Sequence, residues 1–215
     1  MPVQVVEWSD YLCPWCYLAL DRLALLEDLG VDVTCVPFEL HPEMPPEGRP
    51  VQDGGRLAAR LDAIGVKCAG AGLPYRRPPR VPNTRFALSA AEWVRRSTPH
   101  AFATLHRALF RAHFAEGADI GDTTVVLDLV EAAGGRAADV AAAIARGAAG
   151  AAVDDAVARA RDEGVTGTPA WLFLVAGAPT GSAASGGVNR LLVPGTQPRE
   201  TMRRWVTRMQ TRAGA

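Results

Sequence analysis

The chain has 215 residues, 48% of them hydrophobic and 21% charged, and its 23 Lys and Arg are offset by 23 Asp and Glu for a formal net charge of zero. That balance leaves no electrostatic footprint for nucleic acid or an anionic membrane surface, so neither is expected as a partner. The length suits one fold carrying a large insertion better than two independent domains.

Val3 to Trp8 is a short apolar, β-branched run closed by Ser9-Asp10, and it predicts a buried strand. No basic segment followed by an apolar stretch precedes it, and no later segment has the unbroken apolar length of a membrane span. A cytoplasmic location is therefore expected. After Pro14, leucines recur at helical spacing until Gly30, which suits the residue just past a helix end. Val31 to Phe38 predicts a second strand, giving β-α-β with the pair Cys13 and Cys16 at the strand-to-helix turn.

Prolines exclude regular structure over Glu39 to Pro50, and a second Gly/Pro/Arg-rich loop is expected over Gly65 to Pro82. Helical patterns follow over Arg56 to Ile64, Thr84 to Arg96, Pro99 to Phe114, Thr123 to Ala133, Ala137 to Arg146 and Ala151 to Asp162. Asn83 or Thr84, Thr98 and Asp122 stand where helix N-caps belong. Ala170 to Val175 predicts a strand, Ala176 to Val188 a Gly/Ser/Ala loop, and Arg190 to Val193 a last short strand. Gln197 to Thr211 then has the apolar spacing of an amphipathic helix. The fold class is α/β, with β-α-β and β-β-α at the two ends and a helical block between them.

Of the four cysteines, only Cys13 and Cys16 have a meaningful spacing. In a reducing compartment such a pair is catalytic or metal-binding more often than structural. The other half of a zinc site is missing, because Cys35 and Cys68 are far apart and no His lies at ligand spacing. A dithiol at a helix start has its own logic. First-turn N–H groups and the helix dipole stabilise a thiolate at Cys13, and two intervening residues bring Cys16 near enough to attack a mixed disulfide formed there. Pro14 fits the first helical turn, where its missing N–H costs little, and Trp15 adds bulk beside the nucleophile.

The segments Cys13-Pro14-Trp15-Cys16-Tyr17, Pro37 to Gly48, Pro82-Asn83-Thr84, Gly164 to Pro169 and Gly195-Thr196-Gln197-Pro198, in this order, resemble the DsbA-like thioredoxin-fold oxidoreductases of FrnE type. The resemblance implies a thioredoxin-like fold (1–50 and 164–215) with an inserted α-helical domain (51–163). It implies thiol–disulfide exchange with a polypeptide or small-molecule substrate, glutathione being one candidate, and no cofactor or metal. It makes Cys13 the nucleophile, Cys16 the resolving thiol and Pro169 a cis-proline facing them. Thr168 would pair its backbone with an extended substrate. Gly195, Thr196 and Asn83 are candidate substrate contacts, Asn83 also reading as a helix cap. Glu7 is a candidate proton relay or, equally, a strand-end charge reaching solvent.

Glutathione-dependent isomerases and kappa-class transferases share the inserted helices and a similar Pro-Asn-Thr segment, but they typically carry serine in place of Cys13. A non-catalytic binding module is the third reading, and intact Cys13, Cys16 and Pro169 weigh against it. His41 is expected to be structural and His106 and His113 to face solvent or core. Cys35 should pack as a small hydrophobe, and Cys68 is expected in an exposed loop.

Overall fold

The computed structural model describes residues 3–176 and 188–213. The Gly/Ser/Ala stretch expected as a loop lies, over 177–187, outside the described residues. The central sheet has the order β2-β1-β5-β6, built from β1 (Gln4–Ser9), β2 (Asp32–Pro37), β5 (Ala170–Ala176) and β6 (Val188–Pro194). β1 and β2 run parallel, joined by α1 (Pro14–Asp28), and β5 pairs antiparallel with both β1 and β6. The chain then closes with α8 (Arg199–Ala213).

The period-two alternation of the strands decides which layer each side chain joins. Val3, Val5, Trp171 and Phe173 pack with Ala19, Leu23 and Leu26 of α1 and Met202 and Val206 of α8. Trp8, Ala170 and Leu172 instead join a core shared with the helical block. That block holds α2 (Arg56–Gly70), α3 (Arg85–Ser97), α4 (Pro99–Arg111) with its π-helical extension Ala112–Glu116, α5 (Thr123–Ala132), α6 (Ala137–Ala145) and α7 (Ala148–Asp162). Alanines such as Ala87, Ala90, Ala101, Ala143 and Ala160 are fully buried at the contacts. They favour helix and let backbones approach closely.

Several local expectations are corrected. α2 continues beyond Ile64 to Gly70, so the second loop starts later than the composition suggests. Gly65 sits inside the helix because the ring of Tyr75 lies against it: a Cβ there would stand 2.5 Å from Tyr75 Cδ1. Cys68 is consequently on a helix and fully buried rather than exposed in a loop. The two proline-rich loops meet as a minimal antiparallel pair, β3 (Arg49–Pro50) with β4 (Arg80–Val81). Asp122 caps α5 by accepting from the Thr124 N–H, whereas Thr98 and Thr84 make no side-chain cap bond. The helix after Asn83 is capped by Asn83 itself, whose Oδ1 accepts from the Arg85 N–H at 2.9 Å.

Candidate active site

The turn from β1 into α1 is organised by Asp10, which is fully buried. Its carboxylate accepts from the N–H of Leu12 at 3.3 Å, the N–H of Leu40 at 2.8 Å and the hydroxyl of Thr84 at 2.7 Å. Its own carbonyl accepts from the Cys13 N–H at 3.0 Å. One side chain thus ties the cysteine turn to the following loop and to the start of α3. Burial still pushes the Asp10 carboxyl up to about 6, against the hydrogen bonds that favour its anion.

Cys13 occupies the N-cap of α1 in extended conformation, Pro14 opens the first turn, and the Cys13 carbonyl accepts from the N–H groups of Cys16 and Tyr17. Both cysteines are free thiols, close enough that Cys16 is the leading influence on the Cys13 thiol. Across from them the Thr168–Pro169 bond is cis, and the Thr168 carbonyl lies 3.5 Å from Cys13 Sγ although 155 residues separate them.

The two thiols are pushed in opposite directions. The hydrogen bond from Cys16 is the largest cause lowering the Cys13 pKa; burial opposes it, and Thr168 and the backbone N–H groups of Cys16 and Trp15 assist. The helix start therefore contributes, but less than contact within the dithiol. Burial, followed by the hydrogen bond and charge of Cys13 and the charge of Glu7, raises Cys16 well above an ordinary thiol. A stabilised thiolate touching a second, protonated thiol can attack a disulfide and then release the product by internal exchange.

Beneath the cysteine turn lies a cluster of buried polar groups. Glu7 does not reach solvent as a strand-end charge would: it is 1% exposed, and burial drives its pKa up to about 8 despite hydrogen bonds from Ser9 and Cys35. Ligand-capable atoms of Glu7, Cys35 and His106 all lie within 4.8 Å of one another, the one group among the described residues able to hold a metal ion. Tyr11 Oη is 3.0 Å from His106 Nδ1, while Glu7 Oε2 and His106 Nε2 are buried without hydrogen-bond partners among the described residues. Ser9, Tyr11, Cys35 and His106 border a void of about 10 Å³, the size of one water. Burial keeps His106 neutral, with a pKa of about 3.

In front of the sulfurs a groove of about 760 Å³ opens between Cys13, the loop at Leu40 to Met44, and α2. Trp15 forms part of its wall and is 42% exposed.

The other expected residues are distributed around this frame. The Gly195 N–H donates to the Pro169 carbonyl at 2.7 Å, and the Gly195 carbonyl accepts from Trp171 Nε1. The Thr196 hydroxyl donates to the Trp15 carbonyl at 2.8 Å, so Gly195 and Thr196 brace the proline and the cysteine loop. Asn83 donates to the Met44 carbonyl at 2.7 Å and is not among the residues lining the groove at Cys13. His41 is exposed and pairs with Glu43, while His106 and His113 are buried.

Tyr11, His106 and Thr84 acquire their places only through tertiary contact. A sequence signal exists for Thr84 alone, within the Pro-Asn-Thr segment, and it reads as a cap.

A DSBA-like thioredoxin domain model matches residues 4–204. The chain belongs to this family. Its sequence is similar to the uncharacterized protein YwbO of Bacillus subtilis, 27% identical over 138 residues, which cover 62% of this chain and 68% of that protein. Its fold is similar to that of a probable DsbA oxidoreductase from Streptomyces coelicolor, with a TM-score of 0.80 at 26% identity, covering 97% of this chain and 90% of the other. It is also similar in fold to the cytosolic disulfide reductase DsbM from Pseudomonas aeruginosa, solved with glutathione, with a TM-score of 0.67 at 19% identity over 99% of this chain and all of that one. Among the described residues, no helix of this DSBA-like chain is long and apolar enough to cross a membrane.

Proposed function

We propose that this protein is a thiol–disulfide oxidoreductase of FrnE type that exchanges disulfides through Cys13 and Cys16. The observation that carries the reading is the contact between two free thiols at the start of α1 with the Thr168 carbonyl 3.5 Å from Cys13. Cys13 attacks as thiolate, forming a mixed disulfide, and Cys16 resolves it. The Thr168 carbonyl lies 3.5 Å from the nucleophile with cis Pro169 next in the chain, and Thr168 would offer its backbone to a substrate strand. Glu7, whose charge acts on Cys16, would take the Cys16 proton in the fraction of molecules where it is itself ionised, a fraction that grows toward pH 8. Pro14 and Trp15 shape the loop, with Gly195 and Thr196 behind it. The four-stranded sheet with α1 and α8 forms the thioredoxin-like part, and residues 51–163 the insertion. The likeness to cytosolic DsbM supports cytoplasmic work, with glutathione as a candidate thiol partner.

The experiment is iodoacetamide labelling of the reduced protein across pH, read by mass spectrometry, together with insulin reduction. Cys13 should be modified first, with a midpoint below the ordinary thiol value of about 8.5. Dominant labelling at Cys16 or Cys68 at neutral pH would reverse or remove the assigned roles.

A further inference from the structure

The groove beside Cys13 has a chemistry that strand pairing at Thr168 does not explain. Neither Thr168, Pro169 nor Thr196 lines it; its far wall is α2. Its volume, about 760 Å³, falls in the range of small-molecule sites, roughly 300–1,000 Å³. Among the described residues the exposed large apolar side chains are Trp15, Leu57 and Val66, and the first two line this groove with Met44, Leu61 and Ile64. An apolar surface left open beside a nucleophile marks a binding face.

The charges that line the groove are mostly cationic; the nearby acid Glu43 is bonded to the lining His41 and feels the charge of Arg49. Arg49, Arg60 and Lys67 line the groove and no carboxylate does. None of the three forms an ion pair among the described residues, although arginines elsewhere, such as Arg77, Arg85, Arg95, Arg107 and Arg111, are engaged with acids. The contrast is local. On the other side of Trp15 a second groove, which shares Lys67 with the first, carries Asp21, Arg22, Arg199 and Glu200, with Asp21 paired to both arginines. In a chain of zero formal net charge, three unpaired cations around an apolar floor are complementary to an anionic amphipath.

We infer that this groove binds a low-molecular-weight disulfide with an apolar body and acidic groups, seated on Trp15, Leu57 and Met44 with its anions toward Arg49, Arg60 and Lys67. The inference rests on the redox reading of Cys13. The Cys13 thiolate attacks one sulfur of R–S–S–R′; that bond breaks, and R′–S⁻ leaves and is protonated by solvent. The R–S half stays in the groove as Cys13–S–S–R. Cys16 then gives its proton to the ionised form of Glu7 and attacks Cys13 Sγ, releasing R–S⁻, which takes a proton from solvent where its own pKa requires one, and forming the Cys13–Cys16 disulfide; Glu7 returns its proton to solvent. The two electrons come from the dithiol and reduce the substrate disulfide.

The test is single-turnover stopped flow on the reduced full chain with two aromatic disulfides: 5,5′-dithiobis(2-nitrobenzoate), which carries two carboxylates, and uncharged 4,4′-dithiodipyridine. The dianionic probe should react with a rate that saturates with concentration. In the R49Q/R60Q/K67Q variant its half-saturating concentration should rise at least 10-fold, while dithiodipyridine and insulin reduction stay within 2-fold of the parent. A non-saturating rate, or an equal loss for both aromatic probes, would overturn the proposal. Parallel loss of insulin reduction would also overturn it, making the groove a polypeptide site. Non-reactive 4,4′-biphenyldicarboxylate, followed by calorimetry, reads the groove independently of any exchange: binding to the parent and loss in the triple variant are expected, and no binding counts against the groove alone. If Cys13→Ser still consumes the dianionic probe at the parental rate, the redox reading fails instead.

Discussion

The two sides of the cysteine pair are built on opposite principles. In front, Cys13 meets an open groove whose polar side chains are His41 and the long cations Arg49, Arg60 and Lys67. Behind, Glu7, Cys35 and His106 are sealed from water, and polar atoms of Glu7 and His106 lack partners among the described residues. Charge in the first setting is screened and adjustable, so it selects what approaches. Charge in the second is costly, so burial holds Glu7 as the acid near neutral pH and His106 as the free base. On the proposed reading the front could be rebuilt for another substrate without disturbing exchange, whereas the back would be tied to the proton that exchange must move.

The largest effect should come where the two sides meet. Cys13→Ser removes the nucleophile from both, and disulfide exchange with every substrate should fall at least 10³-fold in insulin and chromogenic assays, with the circular dichroism spectrum unchanged. Cys16→Ser leaves attack intact and blocks release, so turnover should drop about 100-fold or more while intact-mass analysis finds mixed disulfides on Cys13. A Cys16→Ser protein that turns over normally would separate the buried side from the reaction.

Glu7→Gln tests the buried side alone. The folded protein holds this carboxyl's proton up to about pH 8, whereas the unfolded chain releases it near 4.5. The folded state therefore binds more protons between those values, and stability falls as pH rises through the window. At about 1.4 kcal/mol per pKa unit the loss is on the order of 4 kcal/mol by pH 8.5. In urea titrations the parent's midpoint should fall between pH 5 and 8.5 more steeply than that of Glu7→Gln. Above pH 8 the anion is also available to the Cys16 proton, so release of a preformed mixed disulfide should slow about 100-fold in the variant, the modest end of general-base effects. Parallel stability profiles for parent and variant would mean that Glu7 is charged in the folded protein. His106 and His113, lowered to about 3 and 4, act with the opposite sign: their stability is lost as pH falls below the ordinary histidine value.

The residues legible in the sequence are those whose chemistry is local. The Cys13–Cys16 spacing, Pro14 at the helix start and the strand patterns of Val3 to Trp8 and Ala170 to Val175 each follow from a short window. Most helices between β2 and β5 declare themselves by spacing to within a few residues. What stays hidden depends on distant partners. Glu7 looks like any strand-end acid until α4 brings His106 over it. Thr84 reads as a cap because nothing in its window predicts the Asp10 carboxylate. Arg49, Arg60 and Lys67 are unexceptional singly, and only the closing of α2 against the proline loop makes them one rim. Cys68 is misread because Gly65 and the proline-rich residues after it suggest that the helix has ended.

Gly65 supplies the smallest and sharpest test, because it anchors the wall of the open side. In a helix interior glycine normally costs about 0.5–1 kcal/mol relative to alanine, so Gly→Ala in α2 ought to stabilise. At Gly65 an added Cβ would lie 2.5 Å from Tyr75 Cδ1 and 2.7 Å from Cε1. The ring cannot simply withdraw: Tyr75 stacks on Phe114 with centroids 6.1 Å apart, and Phe114 on Tyr17 at 5.2 Å. Tyr17 is adjacent to Cys16, so this stack links the groove wall to the dithiol. Gly65→Ala should therefore cost roughly 1–2 kcal/mol net of the helix gain, an overpacking penalty. Gly70, on the same helix with nothing within 4 Å of where a Cβ would stand, is the control, and Gly70→Ala should be neutral or gain up to about 1 kcal/mol. Urea midpoints for the two variants give the comparison. If both change stability alike, Tyr75 yields without cost and α2 is held by something other than this stack. If only Gly65→Ala is destabilised, and dithiodipyridine still reacts at Cys13 at the parental rate, then the wall can be loosened without touching the chemistry.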